Sequence, residues 1–540
     1  MRILKARVTT KLAISMAFMR IGIDLDNTII FYDNAFVHAA IERGLLPADF
    51  KGTKQQVRDA IRLLENGETE WQKLQGYVYG KGLGNAALFA GLEDFLKSVK
   101  QAGAELFIVS HKTEFGHYDP ERVNLRDAAR AWLKERGILS LVAEKNIHFA
   151  ETRKEKVDII AGLGPDWFID DLVEVYEEPH FPPQVKKVLF HTAPETPPQG
   201  SWTVCRHWRD IDNIVTGARV AENLLKAPIA SIEHAAGGGN SRIYKVVAGG
   251  KTYALKRYPI IEGDTRDRLN TERLALQLFE KNNTLCVPRL VRHSLGEGGW
   301  ITSESPFALM EWIDGQAVTT PSEKDIDQAT AFLTKLFSIN DPSMPPASEA
   351  CLSGTEIVRQ LEARLARLQA VEDAALASFL KDTFLPAMQS RIARARTYKD
   401  FDKELPAVSR RLIAADFGFH NALRAQNGNL VFIDFEYLGW DDPVKLIADF
   451  LLHPAMALSP ALRKRFHAPM LKALEPEAEG RFSAFYPLFG LRWTLILLNE
   501  FLPERWQARK DARGDSDLET AKRRQLEKAQ AMLTDSEAFK

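Results

Sequence analysis

Apolar and polar positions change period several times along the chain. RIGIDLDNTII (20–30), AELFIVSHKT (104–113), DWFIDDL (166–172) and VKKVLFH (185–191) are short, nearly continuous apolar runs. Runs of that length predict strands buried on both faces, the habit of parallel sheets. NAFVHAAIERGLL and TKQQVRDAIRLLENG, between the first two runs, have helical periodicity, and ETRKEKVDIIAGLG (151–164) opens another helix. After the proline-rich TAPETPPQGS (192–201), period two takes over in IASIEHAAGGGNSRIYKVVAGGKTYALKRY (229–258). Two glycine-rich turns divide that stretch into a three-stranded antiparallel meander. NTERLALQLFEKN then reads as a helix, FALMEWIDG (307–315) as a strand entering a turn, and AADFGFHNALRAQNGNLVFIDFEYLGWDD (414–442) as a loop followed by a hairpin. WDDPVKLIADFLLHP starts a helix with Pro443 in its first turn. Segments 355–398 and 459–475 are amphipathic, RIARARTYK reads as a solvated face, and the charged tail from Glu504 predicts a frayed helix.

Composition narrows the setting. The 540 residues suit three to four domain-sized units at ~150 residues each. A net charge of −1 gives no electrostatic footprint for nucleic acid or an anionic membrane. Cys205, Cys286 and Cys351 are too widely spaced for a metal pattern or a disulfide framework, which points to a reducing, cytoplasmic setting. Residues 1–18 imitate a secretory signal without a small-residue cleavage site, and are expected to be a disordered extension or to precede a true start at Met19. No apolar run approaches the ~20 residues of a membrane span.

The first three apolar runs end in residues with chemistry. Asp24 and Asp26 share one face of a strand, which suits a nucleophilic carboxylate beside a carboxyl that protonates a leaving group and then activates water. The hydroxyl of Ser110 suits a phosphoryl oxygen, Lys154 and Lys156 suit its charge, and Asp170 and Asp171 offer hard oxygen ligands for Mg²⁺. Acid pair, hydroxyl, lysine and acid pair, in that order, resemble the haloacid dehalogenase superfamily over residues 20 to about 215. The resemblance implies an α/β Rossmann-like parallel sheet with a helical cap, in a domain over 19–220 with its cap at about 31–95. It implies Asp24 as aspartyl nucleophile and metal ligand, and Asp26 as general acid/base. Thr28 would support the loop and Ser110 would bind phosphate. Lys156 is the motif lysine by its spacing to the next strand, with Lys154 as the alternative, and Asp170 and Asp171 share the metal role. Trp71, Tyr77 and Tyr79 line the cap or pack its core, and His111 and His117 are candidates for substrate contact.

In the second half, Gly237, Gly238 and Gly239 allow backbone N–H groups to approach phosphates. Lys256 in YALK follows on the third strand, and Glu272 is spaced to pair with it. Glu311 and Trp312 offer backbone groups to an adenine. Asp416, Asn421 and Asp434 have the composition and order that phosphoryl transfer requires: one carboxylate for the attacking hydroxyl, then an amide oxygen and a second carboxylate for Mg²⁺. Together these resemble the aminoglycoside phosphotransferase and choline kinase group, which implies an α+β bilobal, protein-kinase-like domain over 221–540. Its amino-terminal lobe would span about 225–315 and its carboxy-terminal lobe about 316–540, with ATP and Mg²⁺ as cofactors. DFE in place of D-F-G, and the lack of A-P-E, set the chain apart from protein kinases. The group's histidine two residues before the catalytic aspartate is replaced by Ala414, for which His420 is a partial substitute. Asp441, Asp442 and Asp449 are expected to brace the catalytic loop.

The combined expectation is a bifunctional enzyme. One half hydrolyses a phosphomonoester, and the other phosphorylates a small hydroxyl substrate such as a sugar or polyol. A regulatory protein with one silent domain, suggested by Ala414, and an antibiotic-modifying phosphotransferase are the alternatives.

Overall fold

The computed structural model describes residues 19–235, 241–260, 264–295, 306–456, 458–503 and 518–539. The expected extension at 1–18 and the glycines 237–239 lie outside the described residues. The chain divides into two units, Met1–Arg219 with Ser231–Glu233 and Val220–Ala230 with His234–Lys540.

In the first unit the apolar runs become a six-stranded, all-parallel sheet. Its strands are β1 (Arg20–Ile23), β2 (Glu105–His111), β3 (Ile147–Ala150), β4 (Trp167–Asp170), β5 (Lys186–Phe190) and β6 (Thr203–Cys205). Their order is β3-β2-β1-β4-β5-β6, with Ile21 beside both Leu106 and Trp167. The chain winds outward from β1 on one side and then returns to its other side. Such a reversal opens a crevice at the carboxyl ends of the central strands, the usual ligand site of open parallel sheets. Gly22 makes β1 fit there, because a Cβ would sit 2.5 Å from the Phe168 ring. β1 is shorter than its apolar run, since the backbone turns through Asn27, which adopts a left-handed φ of 58°.

The segment that follows forms helices Asp33–Glu42, Lys54–Arg62 and Gly67–Tyr79. Thr53 and Gln56 form a reciprocal cap at the start of the second helix. Trp71 is core: it is buried and stacks on Phe36 with ring centroids 5.0 Å apart. Tyr77 lies 4.1 Å beneath the Arg43 guanidinium, and Tyr79 packs edge-on against Tyr32.

In the second unit, β7 (Arg242–Ala248), β8 (Lys251–Arg257), β9 (Leu290–His293) and β10 (Phe307–Glu311) pair antiparallel in the order β9-β10-β8-β7. Helix Arg268–Lys281, capped by Asp267, carries Glu272 on its buried side. Most of the remainder is helical around a large aromatic core. Within it, strand Arg411–Ala414 pairs with Leu438–Asp441, and Ala422–Ala425 forms a hairpin with Leu430–Phe432. Pro443 opens helix Pro443–Leu452, whose cap is the Asp442 side chain.

Three expectations about this unit need correction. RIARARTYK is not wholly solvated: Arg391 is buried and donates to the carbonyls of Pro487 and Leu533 and to Ser536. Of the tail from Glu504, residues 504–517 lie outside the described residues, and the described end does not fray: helix Leu518–Asp535 packs on Glu477–Leu497 with Ala529 and Leu533 buried. Gly490 lets Ser536 close in on the longer helix; a Cβ at Gly490 would stand 2.1 Å from the Ser536 hydroxyl. Asp441 and Asp442 tie other segments rather than the loop at Asp416, whereas Asp449 reaches that loop indirectly, through Trp493, His453 and His420. Asp441 accepts from Cys351 N at 2.7 Å, Asp442 pairs with Arg481 at 2.8 Å, and Asp449 accepts from Trp493 Nε1 at 2.8 Å.

Candidate active sites

The crevice of the first unit collects the acids from separate strands. Asp24 follows β1 directly, and Asp170 ends the neighbouring β4. Lys156, in the first turns of helix Arg153–Leu163, reaches between them. Its Nζ lies 2.5 Å from Asp24 Oδ1 and 2.6 Å from Asp170 Oδ2. Burial disfavours the lysine's charge, but Asp170 and Asp24 outweigh it and raise its pKa. Lys154, the sequence alternative, is exposed. Burial raises the Asp24 carboxyl well above its usual range, against the pull of Lys156. Burial and the neighbouring Asp170 raise Asp171 to about 7.

One oxygen from each of Asp24, Asp170 and Asp171 lies within 4.8 Å of the others. Hard carboxylate oxygens in such a cluster fit a small divalent cation such as Mg²⁺. Asn27 Nδ2 and Thr28 Oγ1 sit 3.2 and 3.5 Å from Asp171, so the loop after β1 orients that carboxyl. The Ser110 hydroxyl is buried without a protein partner, a donor left for a ligand oxygen.

Asp26 has a setting that its sequence context did not reveal. Lys112 Nζ lies 2.8 Å from its Oδ2, and Tyr32 donates to its Oδ1 at 2.5 Å. Burial pushes this carboxyl up, but Lys112, Tyr32 and Lys54 outweigh it and hold its pKa below the usual value. Lys112 and Tyr32 thus fix both oxygens of the Asp26 carboxyl. Lys54 comes from the helical segment and donates to Asn27 Oδ1 at 3.0 Å. His111 and His117 are exposed, and His111 Nε2 contacts the Glu151 carbonyl.

The second unit gathers its charges around Lys256. On β8, its Nζ lies 2.6 Å from Glu272 Oε2, 2.6 Å from Asp434 Oδ1 and 3.0 Å from Glu436 Oε2. Tyr258 OH also donates to Glu272 at 2.6 Å, and Phe435 N donates to its other oxygen at 3.1 Å. Glu436, the glutamate of DFE, was missed as a site residue; it also accepts from Ser241 Oγ at 3.0 Å. Burial raises Asp434 to about 6, partly offset by Lys256. Asp434 holds a φ of 69°, a strained conformation for aspartate that occurs where a side chain must be aimed.

The hairpin brings Asn421 beside this cluster, because Ile433 N donates to Asn421 O at 2.9 Å. The Asn421 amide nitrogen donates to the Asp416 carbonyl at 2.9 Å, leaving its amide oxygen for a cation. Asp416 begins the loop, which is pinned by Phe417 stacking on Phe332 and by Phe419 against Phe450. His420 Nε2 lies 3.3 Å from Asp416 Oδ1, and His453 Nε2 is 3.9 Å from the same oxygen. Burial pushes Asp416 up, yet the hydrogen bonds from His420 and the Asn421 amide outweigh it, so the carboxyl sits below its usual value. At the hinge, Glu311 N already donates to Arg289 O, so a backbone donor to adenine must come from beyond it. The Trp312 ring lies 5.5 Å from the Lys245 ammonium.

Residues 231–485 match the phosphotransferase enzyme family. No curated protein matches the chain. Among solved structures, a spectinomycin phosphotransferase bound to ADP and spectinomycin is similar at 12% identity and TM-score 0.43, covering 59% of this chain and 98% of that one. A choline kinase from Streptococcus pneumoniae is similar at 15% identity and TM-score 0.39, with 60% and 99% covered. An ethanolamine kinase of Plasmodium vivax is similar at 15% identity and TM-score 0.37, with 55% and 81% covered.

Proposed function

We propose that this chain joins two phosphate-handling enzymes. The second unit is an ATP- and Mg²⁺-dependent kinase for a small hydroxyl substrate. The observation that carries this half is Lys256 held among Glu272, Asp434 and Glu436 beside the Asp416–Asn421 loop, within the region that matches the phosphotransferase family. Asn421 and Asp434 would hold Mg²⁺, which neutralises charge on the transferring phosphates. Lys256 would hold the α- and β-phosphates, and Asp416 would orient the acceptor hydroxyl and take its proton.

The first unit is a Mg²⁺-dependent phosphomonoester hydrolase of the haloacid dehalogenase type. Its support is the cluster of Asp24, Lys156, Asp170 and Asp171 beside the unpartnered Ser110 hydroxyl, at the reversal of a parallel sheet. Asp24 would attack phosphorus while Asp26 passes a proton to the departing alcohol oxygen, and the Asp26 carboxylate would then take a proton from the water that hydrolyses the aspartyl phosphate. Removing and adding phosphate at one position would only consume ATP, so the two reactions act at different positions or on different molecules. A sugar or polyol on its way to an activated form fits that pairing.

The test is direct. The full chain should release phosphate from a generic aryl phosphate with Mg²⁺, and should consume ATP with at least one of a panel of sugars, polyols and amino alcohols. ATP binding with no consumption across the panel would favour the regulatory reading, for which Ala414 is the supporting observation.

A further inference from the structure

His453 lies far along the chain from the loop it serves. It follows helix Pro443–Leu452, where its backbone N–H closes that helix onto Asp449. Ala455 N donates to His453 Nδ1 at 3.2 Å. A ring nitrogen that accepts carries no proton, so the neutral imidazole has its proton on Nε2. That Nε2–H faces Asp416 Oδ1, 3.9 Å away. Burial lowers His453 to about 4, which agrees with a neutral ring.

Two aromatic rings pack against the imidazole. It stacks on His420 with centroids 4.0 Å apart and planes 5° from parallel. Trp493 also meets it edge-on, with centroids at 4.6 Å and planes at 80°. Trp493 is itself oriented by its indole N–H bond to Asp449 at 2.8 Å. Contacts therefore run from Asp449 through Trp493 and His453 to His420, whose Nε2 is 3.3 Å from Asp416 Oδ1.

Asp416, His420 and His453 also resemble a metal triad by composition, with one ligand atom from each within 4.8 Å of the others. Two features oppose that reading. An imidazole binds a metal close to its own ring plane, and two stacked, parallel planes cannot both contain one ion. The Ala455 contact, moreover, keeps the proton on the nitrogen that would have to bind.

We propose that His453 is a positioning residue for Asp416, acting through His420 and supplying from a distant helix end the loop support that Ala414 cannot provide. The inference rests on the kinase reading of the second unit. Asp416 is a short side chain on a loop, with 44% of it exposed, so its aim depends on what packs beside it. The stacked histidines hold it from one side and the Asn421 amide from the other.

Two measurements on the full chain test this. The first is Mg·ATP turnover with water as the acceptor. His453→Phe keeps a flat ring but removes both nitrogens, and should lower kcat about tenfold while leaving the KM for ATP unchanged. Added to His420→Ala, it should cost nothing further, because the two act on Asp416 as one unit. Additive losses, or a rise in KM with kcat unchanged, would overturn the proposal. The second is a nitrogen NMR spectrum of histidine-labelled protein, which needs no turnover. It should show a neutral His453 protonated on Nε2, with its resonances and those of His420 moving in Asp416→Asn. A His453 protonated on Nδ1, or rings indifferent to Asp416→Asn, would overturn it. A wild type that turns over no ATP with water or with any acceptor of the sugar, polyol and amino alcohol panel would count against the kinase reading, while the spectrum would still decide the contact.

Discussion

Lys256 Nζ and Asp434 Oδ1 lie 2.6 Å apart although the residues are 178 positions apart in the chain. The contact joins the sheet to the hairpin and defines the charge balance of the second site. Lys256 is buried among three carboxylates, so Lys256→Ala leaves uncompensated negative charge there. Breaking a buried ion pair in this way costs roughly 3–5 kcal/mol. Thermal unfolding should shift down by several degrees, and millimolar Mg²⁺ should restore part of the loss by taking over the carboxylates. No restoration would mean that the acids do not form a cation site.

Lys156 poses the same test in the first unit. Lys156→Met keeps the length of the side chain but leaves Asp24 and Asp170 without their shared cation. Aryl phosphate hydrolysis should be lost, whereas Lys154→Met, at an exposed position, should hydrolyse normally. Equal losses from the two variants would show that the lysine has been misassigned.

Much of the first site could be read from the sequence because parallel strands advertise themselves. Asp24, Ser110 and Asp170 sit at the ends of apolar runs, where period and composition change together. Tyr32, Lys54 and Lys112 could not be read in the same way. Lys54 reaches the site only because the helical segment folds back over it, and Lys112 meets Asp26 only because β2 pairs beside β1, neither of which a local period encodes. Glu436 was hidden for a similar reason: its position in DFE marks a departure from a motif, and only the fold brings it to Lys256. Nearness in sequence suggests that the three acids after Asp434 lie at the loop, but of these Asp449 alone reaches it, and indirectly, through Trp493 and His453. Their partners, Cys351, Arg481 and Trp493, all come from other segments.

Arg391 gives a structural prediction. Arg391→Ala takes a donor from the Leu533 carbonyl and from Ser536, and weakens the seat of helix Leu518–Asp535. Each buried carbonyl left unsatisfied costs about 1–3 kcal/mol. Limited proteolysis should then cut the tail helix much faster than in wild type, and Gly490→Ala should do the same by pushing Ser536 away. Equal cleavage rates would mean that the tail is held elsewhere.

Acid stability offers a prediction with a defined sign. Burial pushes Glu349 up, but Arg364 and Arg492 outweigh it and bring its pKa down from 4.5 to about 2. A carboxyl depressed in the folded state adds stability that is complete above its unfolded pKa and disappears as pH falls through the folded value. The wild type should therefore lose stability between about pH 4.5 and 2 through this group. Glu349→Gln should be less stable at neutral pH and flatter across that window in denaturant titrations. A parallel pH profile would remove Glu349 from the account.

The central claim is that one chain carries two separate phosphate chemistries. It is tested most directly by assaying aryl phosphate hydrolysis and Mg·ATP turnover side by side in full-length Asp24→Asn and Asp434→Ala. Asp24→Asn should lose hydrolysis by several orders of magnitude and keep ATP turnover, because it removes only the nucleophile's charge. Asp434→Ala should show the reverse. Loss of both activities in either variant would contradict two independent sites, and retention of both in either would contradict the residues assigned to them.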